Sequence, residues 1–270
     1  MELAIAGLDR ARAERLLKWY APYAREGGGR APSLRVSFSL HEDDYFIDPP
    51  AIPEPNPVLL EFEGTRTRYL GYRLAGWFDT ADGRGQIVLA RGEYEPDHRA
   101  IENYVRSAVA WLAVRRGGAL VHAASAVRDG KGYLFYGPSG AGKSTLSAST
   151  TRAMVVSDDL SLLLPRAGGG LDVVGSPFRG TYTGGPPVVG RHPLVAGFRI
   201  VKAPAAEVRP APRVLAFAEL VANLPFVAES FTTRPDLFEM VERIFAGLPL
   251  AHLHFRKDDS YWDAIDRAGS

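Results

Sequence analysis

The sequence predicts an α/β protein in two parts: a β-rich α+β N-terminal region over residues 1–96 and a mixed α/β core over residues 97–270. Three observations predict it. Short segments of alternating apolar character, punctuated by Gly and Pro, occupy residues 34–90. A helical pattern opens at Asp97 and stops at Gly117-Gly118. After it, strand-like runs alternate with glycine-rich loops and helix-forming stretches.

Taken in order, Leu8 to Arg25 reads as a helix ended by Gly27-Gly28-Gly29, with Arg10, Arg12 and Arg15 on a solvated face. Leu34 to Leu40 alternates as a strand. Phe46 to Pro57 holds five prolines and reads as an irregular connection. Strands follow at Val58–Phe62, Arg66–Leu74 and Gln86–Ala90, with Asp82-Gly83 as a hairpin signal. In the helix after Asp97, its expected N-cap, Ile101, Tyr104, Val105, Ala108 and Leu112 share one face. A soft boundary falls near residue 96. Ala119–Val127 and Gly132–Tyr136 read as strands joined by the turn Arg128-Asp129-Gly130-Lys131. No internal repeat or low-complexity tract is present.

Composition narrows the function classes. With 46% hydrophobic and 23% charged residues, the chain reads as an ordinary soluble globular protein. Lys+Arg exceeds Asp+Glu by one, so no global field draws it to nucleic acid or an anionic membrane. The absence of cysteine excludes disulfides, thiol catalysis and cysteine metal sites, and fits a cytoplasmic chain. Charge at Asp9 and Arg10 interrupts any signal-peptide core. The longest apolar run, Ala108–Val114, is far short of the roughly 20 residues of a membrane span. Only five basic residues are lysines (Lys18, Lys131, Lys143, Lys202 and Lys257), which makes each one informative.

Residues 119–164 carry most of the chemistry. Directly after a strand stands Gly137-Pro138-Ser139-Gly140-Ala141-Gly142-Lys143-Ser144-Thr145, followed by a helix-forming stretch. This matches the phosphate-binding loop in full and in its expected context. Glycines let backbone N–H groups turn inward around a phosphate chain, and the following helix contributes its positive end. Lys143 would reach the β/γ-phosphates and the Ser144 hydroxyl would ligate Mg²⁺, so ATP and Mg²⁺ are the expected cofactors.

Two further features stand nearby. The apolar strand Met154 to Val156 runs into Ser157-Asp158-Asp159. One carboxylate could hold the metal while the other accepts a proton from an attacking hydroxyl; the plainer alternative is a solvated turn. His122 lies mid-strand in Leu120-Val121-His122-Ala123-Ala124. It reads either as a core histidine with one hydrogen bond or as a partner that orients a carboxylate.

These residues together resemble the kinase core of the HPr kinase/phosphorylase family, above all its HPr kinase-like relatives. The resemblance rests on Leu-Val-His122-Ala, on GPSGAGKST twenty-one positions on at Lys143, and on Ser157-Asp158-Asp159. Gly175-Ser176-Pro177-Phe178-Arg179-Gly180 and the closing stretch His252 to Ile265 are also similar, and the likeness spans roughly residues 100–266. It implies a mixed-sheet P-loop kinase core of the phosphoenolpyruvate carboxykinase type. It further implies transfer of the ATP γ-phosphoryl group to a serine hydroxyl of a protein or peptide. By position Asp159 is similar to the family's proton acceptor. Asp158 and His122 resemble its supporting pair, with Asp158 and Ser144 around Mg²⁺. The bifunctional members carry a metal-binding glutamate in a Glu-Ile-Arg-Gly segment, whereas Val174 to Thr183 has no acidic residue, so only the kinase direction carries over.

Three weaker signals remain. His252 and His254 would lie on one strand face, with Leu253 and Phe255 inward; two histidines fall short of a metal site. Gly180 to Pro187 reads as a surface loop or as a lid that sets Arg179 on the phosphates. Trp19, Trp77, Trp111 and Trp262 read as core or half-core residues. The expected activity is thus a Mg·ATP-dependent protein or peptide serine kinase, with residues 1–96 as possible acceptor recognition. A small-molecule kinase and a non-catalytic ATP-binding regulatory module are the alternatives. Oligomeric state is not readable.

Overall fold

The computed structural model describes residues 1–27, 31–52, 57–232 and 234–269. Gly28, Gly29 and part of the proline-rich connection lie outside them. The chain forms two compact units, Met1–Leu112 and Ala113–Ser270, with mixed α/β structure and six α-helices among the described residues. No helix in the described residues is long and apolar enough to cross a membrane.

The first unit is built on a six-stranded sheet in the order β1-β2-β6-β5-β4-β3. Its strands are β1 (Leu3–Ala6), β2 (Leu34–Leu40), β3 (Leu59–Glu63), β4 (Arg66–Leu70), β5 (Leu74–Asp79) and β6 (Arg84–Leu89). The expected strand Arg66–Leu74 is two strands, broken where Gly71 begins a reversal closed by the Gly71 N–H to Leu74 O bond. Asp82-Gly83 does form the β5–β6 turn, with Gly83 at φ +65°. Helix α1 (Arg10–Trp19) starts at Asp9, whose carboxylate caps it by accepting the Arg12 N–H at 2.9 Å. It ends well before Arg25, because Pro22 cannot supply the N–H that another turn needs. Trp19 is 42% exposed and not a core residue; its indole donates to Glu102 at 2.8 Å.

Helix α2 (Asp97–Arg115) buries its expected face, Ile101, Tyr104, Val105, Ala108 and Leu112. Tyr104 packs edge-on against Tyr69 and Phe78, and Trp111 against Phe62. These contacts assign most of α2 to the N-terminal unit. The compact units therefore divide at Leu112 and not at residue 96. Asp97 does not spend its carboxylate on a cap; it takes Arg12 at 2.9 Å and Arg73 at 3.0 Å.

The second unit holds β7 (Ala119–Arg128), β8 (Lys131–Tyr136), β9 (Met154–Ser157), β10 (Leu160–Pro165), β11 (Leu171–Val174), β12 (Arg191–Lys202), β13 (Glu207–Pro210) and β14 (Leu250–Phe255). Its helices are α3 (Lys143–Ser149), α4 (Arg213–Val221), α5 (Pro235–Phe245) and α6 (Tyr261–Gly269). Strands β11, β10, β7, β8 and β12 pair in sequence, and β11 pairs again with β12, so five strands close on themselves. Strands β14 and β13 continue outward from β12, and β9 adds to β7. The β7–β8 turn has Asp129 at φ +52° and Gly130 at φ +74°, the two positive values that a tight hairpin requires. Leu120, Val121, Leu134, Phe135, Val155 and Val156 are all buried in β7, β8 and β9. Phe135, Phe198, Phe255 and Trp262 belong to one buried cluster with Leu146 of α3, which fixes α3 against the strands.

Candidate functional site

Strand direction decides what meets at one edge of the second unit. Strand β8 runs antiparallel to β7, with Tyr136 against Ala123. Strand β9 also runs antiparallel to β7, with Ser157 against Ser125. The carboxyl ends of β8 and β9 therefore lie at the end of β7 that holds His122. Strand β7 changes partner here: Leu160 of β10 pairs with His122. Asp158-Asp159 is the two-residue corner where the chain passes from β9 to β10.

Gly137 to Gly142 links β8 directly to α3. Gly140 and Gly142 have φ of +76° and +108°, values that side-chain-bearing residues rarely take. Gly142 is also crowded, since a Cβ there would stand 2.9 Å from the Phe255 ring. Pro138, Ser139 and Ser144 are exposed on this loop, while Ala141 and Thr145 are half-buried. Lys143 is buried and its Nζ donates to Gly137 O at 2.9 Å and Pro138 O at 3.4 Å. Burial pulls its pKa below the usual lysine value, and the Asp159 charge opposes that shift.

The two aspartates have different surroundings. Asp158 is 2% exposed, and its carboxylate accepts three consecutive backbone N–H groups: Gly180 at 2.7 Å, Thr181 at 3.0 Å and Tyr182 at 3.0 Å. A buried carboxylate held this way anchors a loop. The sequence predicts Asp158 near Mg²⁺, directly or through water; here both of its oxygens are engaged by backbone N–H groups. Asp159 is the more open of the pair; its Oδ1 lies 3.4 Å from His122 Nε2, and its N–H donates to Ser157 Oγ at 3.2 Å. His122 has a side chain 43% exposed, so it is not a core histidine. The structure thus brings together Lys143, Asp158, Asp159 and His122 around the Gly137–Thr145 loop. Among the described residues no group of three or more His, Cys, Asp or Glu side chains could hold a metal ion.

The segment after β11 closes over this corner. Ser157 Oγ donates to Phe178 O at 2.8 Å, and Gly180 presses against the aspartates. A Cβ on Gly180 would lie 2.9 Å from Asp158 Oδ2 and 3.0 Å from Asp159 Cβ. Arg179 places its guanidinium carbon 5.5 Å from the Tyr182 ring centroid, and its Nε and Nη2 are shielded from solvent without a hydrogen-bond partner in the protein. Shielded donor nitrogens without an acceptor carry a cost that an incoming anion would relieve.

The chain matches no protein-family model, and no curated protein matches it significantly.

Two arrangements were not legible in the sequence. The Asp158 anchor had no signal beyond the Asp-Asp pair, because its partners are backbone groups twenty-two to twenty-four positions on. His252 and His254 lie on one face of β14 with Leu253 and Phe255 buried, as the alternation predicts. His252, however, bonds Glu219 of α4 at 2.8 Å, and Arg199 holds the other oxygen of the same carboxylate at 2.8 Å. That network joins α4 to the sheet.

Proposed function

We propose that this chain is an ATP-dependent kinase of the HPr kinase-like type, which transfers the γ-phosphoryl group to a serine hydroxyl of a protein or peptide. The observation that supports this reading best is the shared edge: the Gly137–Thr145 loop, Asp159 and His122 are delivered by three neighbouring strands to one place. A phosphate chain and a proton acceptor are the two things in-line phosphoryl transfer needs side by side.

In this reading the loop glycines turn N–H groups toward the β- and γ-phosphates. Lys143, already held at the loop carbonyls, exchanges those contacts for phosphate oxygens. Arg179 offers its unsatisfied Nε and Nη2 to the γ-phosphoryl group. Asp159 accepts the proton of the serine hydroxyl as the serine oxygen bonds to phosphorus and the β–γ bridging oxygen leaves with ADP. His122 orients Asp159 from 3.4 Å. Asp158 acts through the loop that carries Arg179, as a positioning residue.

The exposed Ser144 hydroxyl fits Mg²⁺. This ion keeps several waters and takes few protein ligands beside substrate phosphates, so no protein cage is required. When bound it would neutralise charge on the phosphates.

Calorimetry with Mg·ATP on the wild-type chain and on Lys143→Met tests the core of the proposal. Binding that is lost in a folded Lys143→Met variant supports it. No binding by the wild type, or equal binding by both, overturns it.

A further inference from the structure

Three of the five lysines, Lys143, Lys202 and Lys257, are brought to one sheet edge. Strands β8, β12 and β14 run parallel, with Arg199 against Tyr136 and Lys202 against Phe255. Their carboxyl ends therefore point the same way, and the carboxyl ends of parallel strands are where α/β sheets bind ligands. Strand β8 runs into the loop of Lys143, β12 ends on Lys202, and Arg256-Lys257 follows β14. The Ala203 N–H donates to Phe255 O at 2.9 Å and pins the last two ends together.

Between them lies a cavity of 440 Å³, lined by Thr145, Lys202, Pro204, Phe255, Arg256 and Lys257. It opens beside the last residue of the glycine-rich motif. Its wall is fitted to that loop, since a Cβ on Gly142 would come 3.6 Å from Lys202 Cε as well as touching Phe255. Arg256 is committed to Asp258. Lys202 and Lys257 are exposed and have no carboxylate partner among the described residues.

We propose that this cavity seats the non-transferred end of the nucleotide, with the α-phosphate between the ammonium groups of Lys202 and Lys257 and the sugar along Pro204 and Phe255. The inference rests on the reading of Gly137–Thr145 as the cradle of the β- and γ-phosphates. A phosphate chain held at Lys143 that runs past Thr145 enters this cavity next. The α-phosphate brings the negative charge that the two lysines lack. Ammonium groups suit it, because they are point charges that impose no fork geometry. An acidic stretch of the acceptor is the other anion that could use the same cations.

The test is calorimetric titration of the full chain with Mg·ATP and, separately, with Mg·pyrophosphate, which can fill the β/γ cradle without reaching the cavity. The variants are Lys202→Ala/Lys257→Ala, its charge-keeping counterpart Lys202→Arg/Lys257→Arg, and Lys143→Ala, each checked by thermal melting. The alanine pair is expected to bind Mg·ATP about tenfold or more weakly, since each lost charge-assisted contact is worth a substantial part of a decade or more. Its pyrophosphate affinity should stay within about twofold, and the arginine pair should bind near wild-type level. Wild-type ATP affinity in the alanine pair, with binding lost in Lys143→Ala, overturns this assignment alone and leaves the cavity to the acceptor. Equal weakening of ATP and pyrophosphate also overturns it, because the lysines then act on the cradle itself. Unchanged binding of both ligands by Lys143→Ala overturns the cradle reading and this inference with it.

Discussion

The carboxylate of Asp158 receives the backbone N–H of Gly180 at 2.7 Å across the corner between β9 and β10. With the N–H groups of Thr181 and Tyr182 it fixes the loop that carries Arg179. This divides the work of two adjacent aspartates: the buried one holds a loop, and the open one faces the phosphate-loop edge.

Asp158→Asn should therefore act on stability first. The amide presents one NH₂ group to backbone donors that had two carboxylate oxygens, and a lost charge-assisted bond in a buried site costs about 2–3 kcal/mol. Urea denaturation should show the midpoint falling with an unchanged slope. Stability equal to wild type would remove the anchor from this account.

Asp159→Asn should act on chemistry. A base that takes the hydroxyl proton contributes typically 10²–10⁴-fold, or roughly 3–5 kcal/mol. Single-turnover phosphotransfer should fall by that factor while Mg·ATP affinity changes little. Near wild-type transfer would move the role to His122.

Gly180→Ala tests the crowding at the same corner. The added methyl must displace Asp158 Oδ2 or Asp159 Cβ, both within 3.0 Å. Small-to-large changes at tight sites cost typically 1–3 kcal/mol. Turnover should drop along with thermal stability, and a fully active, equally stable variant would show that the loop has room to yield.

Lys143→Met should spare the empty fold and abolish stabilisation by nucleotide. Burial depresses the folded-state pKa of Lys143, so its charged form is held at a cost and removing it should not lower the melting temperature. Wild type at a nucleotide concentration of about 100 times Kd gains about 2.7 kcal/mol; the variant should gain none. Melting curves with and without Mg·ATP report both effects.

His254 should give the protein a mild acid sensitivity. Burial lowers its pKa below 6.5; Arg209, His252 and Arg199 lower it further, against Glu207 opposite it on β13. The unfolded chain then binds the proton more readily than the folded one, so stability is full above 6.5 and falls as pH drops below it. His254→Gln should flatten that decline in urea midpoints taken between about pH 8 and 5. An unchanged slope would assign the decline to other groups.

Local pattern determined much of this molecule. Alternation marked β2, helical period marked the buried face of α2, and short apolar runs with turn residues marked β7, β8 and β9, because period and turn residues act over a few positions. The glycine spacing of residues 137–145 was equally legible, since the loop conformation needs glycine at defined places. The tertiary structure alone decided that Arg66–Leu74 breaks at Gly71, that α2 belongs with the first unit, and that five strands close on themselves. It also decided which aspartate is open: Asp158 and Asp159 are identical side chains one residue apart, and only the return of Gly180–Tyr182 buries one and leaves the other beside His122. Lys202 and Lys257 stand apart from Lys143 in sequence and reach the same end of the sheet because three strands run parallel. Pairing direction is set by packing between distant segments, which no local pattern records.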